Sequence, residues 1–439
     1  MTDHPDVVTI CSDLIAIDTS NYGKAGSKGE LAAAEYVASL LRGAGYDPEI
    51  IESEPTRANV VLRVPGADRL LPGLLVHGHL DVVPAEPERW TVAPFEGWVA
   101  DGYVWGRGAT DMKDTVAMML ATLLRWAADA TGPRRDVVFA FVADEEEDGA
   151  LGAEWLVRNR PELFAGVTAA VGESGGRPVP VRAPDGTVRR FYPIAVAERG
   201  SLHMRVRATG TEGHGSRPNP DNPVARLVTG LARISAHRWP LALTPPVRRL
   251  LDTAVRTLGL DADLSSDEGV EAVLDRIGPL REYVEPSLRC STNVTVLDAG
   301  YKFNVVPGEA HAEIDVRSLP GTEDEQLAII DELLGPSVTR SFLSYRPAIG
   351  AGWDNAWYDA MAASVLRHDP DGVIVPFCMG GGTDAKPFAE LGMAGFGFAP
   401  LGEDPDGRTP AGMHGVDERV PIASLRSGLD VLDDFLRTV

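Results

Sequence analysis

The strongest constraint on the fold is the run DVVFAFVA at residues 136–143, which leads straight into Asp144-Glu145-Glu146-Glu147. A strand that is apolar on both faces has to be covered on both faces, the condition of an inner parallel strand. Acidic residues at the carboxyl end of such a strand point to an α/β sheet with its site along that edge. A second apolar run, 74–76, ends in His77-Gly78-His79 and repeats the pattern.

The rest of the chain fits this frame. Residues 30–43 (ELAAAEYVASLLRG) carry apolar side chains at helical spacing and stop at a glycine. Residues 59–64 read as a strand, and 114–128 as a helix beginning just after Asp111. The texture changes after about residue 197. Residues 201–208 alternate like a half-exposed strand, 223–235 read as a helix, 292–297 and 310–316 as strands, 323–334 as a helix and 337–345 as a last strand. That order, βαββαβ, is a ferredoxin-like unit, with 240–288 read as helices inserted within it. After about residue 346 the α/β texture returns. The expected organisation is a catalytic domain in two pieces, 1–197 and 346–439, with a second domain, 198–345, inserted between them. A chain of 439 residues is long enough for two cores.

Composition excludes several classes of function. No run of about 18 apolar residues is present to span a membrane. The acidic N-terminus lacks the basic-then-apolar pattern of a secretory signal. Cys11, Cys290 and Cys378 lie too far apart for a thiolate cluster, which fits a reducing, cytoplasmic setting. The net charge of −23 repels nucleic acid and anionic lipid.

Five positions that end strands or sit in Gly-rich turns carry metal-binding chemistry: His79, Asp111, Glu146, Glu173 and His414. Two imidazoles and three carboxylates suit a pair of zinc-like ions with one carboxylate shared. His77, two residues before His79 on the same strand, is read as structural. The blocks HGHLDVVP (77–84), GRGATDMKD (106–114), ADEEEDGALGA (143–153), GESGG (172–176) and HGVDE (414–418) occur in an order and at spacings that resemble a zinc peptidase and amidohydrolase family. Its members include DapE desuccinylase, ArgE deacetylase, aminoacylase and carboxypeptidase G. The resemblance spans nearly the whole chain.

The resemblance implies a mixed-sheet zinc-peptidase catalytic domain with the inserted ferredoxin-like unit as a lid and dimerisation domain. It implies two Zn2+, with Co2+ or Mn2+ as substitutes. His79 and Glu173 would bind one ion, His414 and Glu146 the other, and Asp111 would bridge them. A cis peptide would follow Asp111. Asp81 would orient His79 through its free ring nitrogen, and Glu145 would be the general base. The third glutamate departs from the family pattern. Aligning Gly152-Ala153 without a gap gives Glu145 as base and Glu146 as ligand, the preferred register, whereas sliding by one gives Glu146 and Glu147.

In TEGHGSRPN (211–219), His214 matches the family histidine that reaches across a dimer to stabilise the oxyanion. Asn304, Arg317 and Arg346 match substrate-binding positions, and Gly381, Gly382 and Thr383 lie in a Gly-rich loop that would meet a substrate carboxylate. The expected partners are a small N-acyl amino acid or dipeptide and a second copy of the chain. The expected reaction is metal-assisted hydrolysis of an amide next to a carboxylate. Alternatives are a dipeptidase or carboxypeptidase rather than a deacylase, and an inactive binding protein on the same fold. A serine hydrolase is disfavoured because GxSxG does not occur in a strand-to-helix elbow.

Overall fold

The computed structural model describes residues 4–23, 26–147, 149–405 and 412–439. Its main element is a mixed sheet of ten strands. The inner strands Gly73–His79, Val137–Val142, Val167–Gly172 and Ala394–Gly397 run parallel, with His79 opposite Val142. On one side Val137–Val142 pairs antiparallel with Arg57–Val64. On the other, Val188–Glu198 pairs parallel with Val373–Met379.

The continuous apolar run has the expected cause. Phe139 and Phe141 pack on one face with the helices Val7–Ala16, Leu31–Gly43, Lys113–Asp129 and Ile422–Thr438, while Val138, Ala140 and Val142 pack on the other with Leu156 and Phe388. Each fully buried side chain of this size contributes roughly 1.5–3 kcal/mol. Period-two alternation therefore feeds two cores, and only the strand ends are left for polar residues.

A four-stranded antiparallel sheet has the order Ser291–Ala299, Glu309–Ser318, Gly200–Thr209, Val338–Arg346. With the helices Pro223–Ala236 and Glu323–Leu334 this is the βαββαβ pattern. Leu202, Met204 and Val206 meet Leu227, Leu231 and Ile330 on the covered face. The other face carries ion pairs such as Arg205–Glu313.

The helices at 240–288 depart from the sequence reading. They pack on the large sheet instead of within the four-stranded unit. Helix Pro245–Leu258 turns Val247, Leu250, Leu251 and Ala254 toward Val181, Phe191, Val375 and Phe377. The apolar stripe of the helix was legible, but a stripe does not say which sheet it covers. The outer strands of the large sheet expose an apolar face there, and this segment covers it.

Candidate metal centre and active site

Parallel strands deliver their carboxyl ends to one edge. His79 closes Gly73–His79, Glu145 and Glu146 follow Val137–Val142, and Glu173 follows Val167–Gly172. Asp111 sits just before helix Lys113–Asp129, followed by a cis Asp111-Met112 peptide bond. His414 comes from the loop before the C-terminal helix.

Asp111 divides its two oxygens: Oδ1 lies 3.1 Å from His79 Nε2 and Oδ2 lies 3.1 Å from His414 Nε2. Glu146 Oε2 is 3.2 Å from His414 Nε2. Ligand atoms of His79, Glu145 and Glu173 lie within 4.8 Å of one another, as do those of His79, Asp111 and Glu146. Glu147 lies apart, against the Gly23 turn. The structure thus brings Glu145 and Glu146 to the centre and leaves Glu147 outside it; Asp148 lies outside the described residues.

The electrostatics of the cluster are those of anions crowded out of water. Burial, and then Glu173, push the Glu145 carboxyl well above its usual range. Burial and Asp111 do the same to Glu173. Burial alone would lower His79, but its bond to Asp111 and the charges of Glu145, Asp111 and Glu173 raise it well above the usual imidazole range. Bonds to Asp111 and Glu146 lift His414 to about 10. Burial would raise Asp111, yet its bonds to His414 and His79 hold it below the carboxylate range. Glu146 Oε1 is buried with no hydrogen-bond partner among the described residues. Buried carboxylates are costly unless cations compensate them. The donor set, two imidazoles and three carboxylates with one carboxylate shared, fits a pair of divalent ions.

The framework around these residues was only partly legible. Asp81 meets the free ring nitrogen of His79 through its main chain: Nδ1 of His79 lies 2.9 Å from the Asp81 backbone oxygen, with the carboxylate at 3.7 Å. The Asp81 carboxylate instead accepts from the backbone N–H of Glu145 at 3.1 Å and of Glu146 at 3.2 Å. Asn21 Nδ2 joins Asp81 to Asp144, and Arg57 joins Asp144 to Glu30. Sequence reasoning missed Asn21, Arg57 and Glu30, which stand alone without a motif. It also passed over Glu418, although Glu418 is in a quoted block. Glu418 is buried and accepts from Gly108 N, Thr110 N and Arg107 Nη1, so it ties the Asp111 loop to the His414 loop. Asp384, pushed up to about 7 chiefly by burial, adds another carboxyl beside His79 and Asp81. His77 packs its ring on Phe388 at 5.2 Å and burial takes it down to about 3, a core residue as read.

The expected substrate residues are not all gathered here. His214 is exposed, and its Nδ1 accepts from Ser216 N at 3.1 Å. Its strand pairs with Val305, beside Asn304, so these two residues meet at one small two-stranded sheet. No hydrogen bond or ion pair joins either to the carboxylate cluster among the described residues. Arg317 grips Asp315 with two bonds of 2.7 and 3.0 Å. Arg346 reaches Glu154 at 3.0 Å. Thr383 N and Oγ1 bond Glu198 at 3.1 and 2.5 Å, while Gly381 and Gly382 are exposed and Gly382 lies over Lys386. Cys11, Cys290 and Cys378 are free thiols. No helix among the described residues is long and apolar enough to cross a membrane.

Comparison with known proteins converges on one family. The profile of peptidase family M20/M25/M40 matches residues 75–438. The chain is 28% identical to aminoacylase-1 of Sus scrofa over 412 residues, covering 92% of this chain and 89% of that one. It is 26% identical to probable carboxypeptidase S-like 2 of Dictyostelium discoideum, covering 83% and 71%. The fold is similar to that of an M20 family metallo-carboxypeptidase from Sulfolobus solfataricus, with TM-score 0.69, 17% identity and 99% of each chain covered. Human carnosine dipeptidase 1 gives TM-score 0.64 at 16% identity, covering 98% and 95%.

Proposed function

The chain belongs to peptidase family M20/M25/M40 and is therefore a metal-dependent hydrolase, and we propose that it uses two zinc ions to cleave the amide bond of an N-acyl amino acid. The observation that carries this reading is Asp111, whose two oxygens are shared between His79 and His414. His79 and Glu173 would hold one ion, His414 and Glu146 the other, with Asp111 between them. Bound there, two divalent ions would polarise the scissile carbonyl and lower the pKa of the attacking water.

The chain's own residues do the rest. Glu145 takes a proton from the attacking water and passes it to the leaving nitrogen. Burial and the neighbouring Glu173 raise its pKa above the usual carboxylate range, the direction that suits a proton acceptor. Asp81, holding the backbone of Glu145 and Glu146, fixes where those two carboxylates point. Arg346, Arg317, Asn304 and the loop of Gly381, Gly382 and Thr383 bind the substrate carboxylate. For Arg317 this means exchanging its bond to Asp315 for one to substrate. His214 stabilises the oxyanion in a partner's site; among the described residues no hydrogen bond or ion pair ties it to the carboxylate cluster of its own chain. The working unit is accordingly a homodimer joined through the four-stranded unit of residues 198–345, which acts as a lid over the catalytic domain of 1–197 and 346–439, while 240–288 packs on the large sheet of that domain. The free thiols fit a reducing, cytoplasmic setting.

Similarity to aminoacylase-1 over nearly the full chain favours an acyl amino acid over a peptide. A dipeptide is the second reading, supported by the similarity to a carboxypeptidase S-like protein. The test is a panel of N-acetyl and N-succinyl amino acids and dipeptides, assayed after chelation and after adding zinc or cobalt. Activity should vanish and return. Full turnover by a sample shown metal-free by elemental analysis would overturn the mechanism.

A further inference from the structure

A cavity of about 150 Å3 opens beside the metal centre. Its wall includes Ser174, which follows Glu173, and Met413, which precedes His414, so it borders ligands expected for both ions. An amide carbonyl held at the centre would have a substituent directed here. Of the remaining wall, Tyr283, Phe377, Cys378 and Met379 are apolar, with the Tyr283 and Phe377 rings edge-on at 5.1 Å, and Glu282 and Arg177 bring opposite charges to its rim. Burial pushes the Cys378 thiol up to about 12, so it faces the cavity as a neutral group and not as a nucleophile.

Two features show what sets the size of this space. Tyr283 belongs to the 240–288 segment, which packs on the large sheet. From the same segment, Pro286 meets the glycine-rich loop: a Cβ on Gly380 would fall 2.5 Å from the Pro286 Cβ. Two residues on, a Cβ on Gly382 would lie 3.2 Å from Lys386 Nζ. The loop therefore divides a cationic side, with Lys386 and Arg346, from an apolar side built by the inserted segment. Arg177, the one cation in the wall among the described residues, is turned toward the Thr110 carbonyl at 3.4 Å and Asp114 at 3.7 Å.

We propose that this cavity is the acyl subsite, that the 240–288 segment sets its depth through Tyr283, and that it takes an unbranched apolar acyl group of about six carbons. The proposal rests on the deacylase reading above. The size follows from the volume: in other proteins an apolar cavity of about 150 Å3 holds a benzene-sized molecule.

The experiment measures kcat/KM of the zinc enzyme on one amino acid carrying acetyl, butanoyl, hexanoyl, octanoyl, dodecanoyl or succinyl groups. Wild type should gain about three- to fourfold per methylene up to hexanoyl, the ratio for a buried CH2, and then level or fall. Met379→Trp should flatten the rise by filling the cavity. Tyr283→Ala should move the optimum to a longer chain. The wild-type series decides alone where a variant fails to fold. A flat series, or one untouched in both folded variants, would overturn the subsite. Succinyl preferred over hexanoyl would also overturn it, by giving recognition to Arg177. No turnover of any N-acyl substrate beside good turnover of dipeptides would defeat the deacylase reading itself, and with it the occupant named here.

Discussion

Replacing Arg57 by methionine tests whether the acidic turn is held from behind. Arg57 donates to Glu30 and to Asp144 at 2.8 Å each, and the side chains of these three residues are 10%, 1% and 7% exposed. From Asp144 the chain of bonds continues through Asn21 to Asp81, and from Asp81 to the backbone of Glu145 and Glu146. Methionine keeps much of the stem's volume but leaves two carboxylates buried without their cation. Removing one partner of a buried pair costs about 3–5 kcal/mol. That corresponds to a fall in Tm of roughly 6–20 °C for a cooperative unit of 150–250 residues. Calorimetry of the metal-free protein measures it directly. Adding Glu30→Gln should recover part of the loss, because burial already pushes Glu30 up to about 7 and a neutral side chain removes one orphaned charge. With zinc restored, kcat should fall more than KM rises, since the base is misplaced while the carboxylate-binding residues are untouched. A loss under about 1 kcal/mol, or strictly additive effects of the two substitutions, would refute the account of a coupled buried network.

Other expectations follow from the same geometry. Glu145→Gln should keep both ions but lose several decades of kcat, and Glu146→Gln should weaken metal binding; the opposite pattern would move the register of the acidic turn by one residue. Zinc binding to metal-free protein at neutral pH should expel protons, from the raised His79 and His414 imidazoles and from the raised Glu173 carboxyl, seen by titration calorimetry in buffers of different ionisation enthalpy. Release of fewer than one would contradict the charge state argued for His79 and His414. Burial depresses Lys386 to about 8 from 10.5, so the folded state binds fewer protons than the unfolded state between those values. Its contribution is present above the unfolded pKa and lost as pH falls through about 8. Wild type should therefore gain up to about 3 kcal/mol over Lys386→Met between pH 8 and 10.5 in urea unfolding, and a difference that ignores pH would refute the burial argument. Finally, His214→Ala and Glu145→Gln, each nearly inactive alone, should regain about a quarter of wild-type sites when mixed and reassociated as random dimers. No recovery in verified heterodimers would place His214 outside the partner's site.

Legibility followed the kind of signal each residue leaves. The run at 136–143 and the acids after it identified an inner strand and its active edge, because two-sided burial leaves no other composition. The βαββαβ order was readable from alternation and helical stripes, and the four-stranded sheet has that order. The placement of 240–288 was not readable, since Val247, Leu250 and Leu251 would suit any apolar surface. The centre's acids and imidazoles were found through their blocks. Asn21, Glu30 and Arg57 were not, because they act through contacts 27 to 123 residues away in sequence and carry no local pattern.

Two buried carboxylates that the metal-ligand set does not include explain why the centre keeps its shape. Asp81 takes the N–H groups of Glu145 and Glu146, and Glu418 takes those of Gly108 and Thr110. Each therefore holds the backbone of a loop that carries expected ligands. Arg107 adds a tie from Glu418 to the His414 carbonyl at 3.3 Å. The loops are also in conformations that side chains seldom choose: Asp144, Ser174 and His414 have φ of 68°, 71° and 59°. Backbones of that kind persist only where the surroundings over-determine them. Here the determinants are polar groups of the protein. Divalent ions bound at the centre would meet donors held by these groups, and their binding energy would go into neutralising the crowded carboxylates rather than into folding the chain. A small zinc domain works the other way, since its ligands have no such framework. The same reasoning accounts for acidic residues at Asp81 and Glu418: a carboxylate offers two oxygens with about four acceptor sites and no donor to satisfy, so it can take three N–H groups at once.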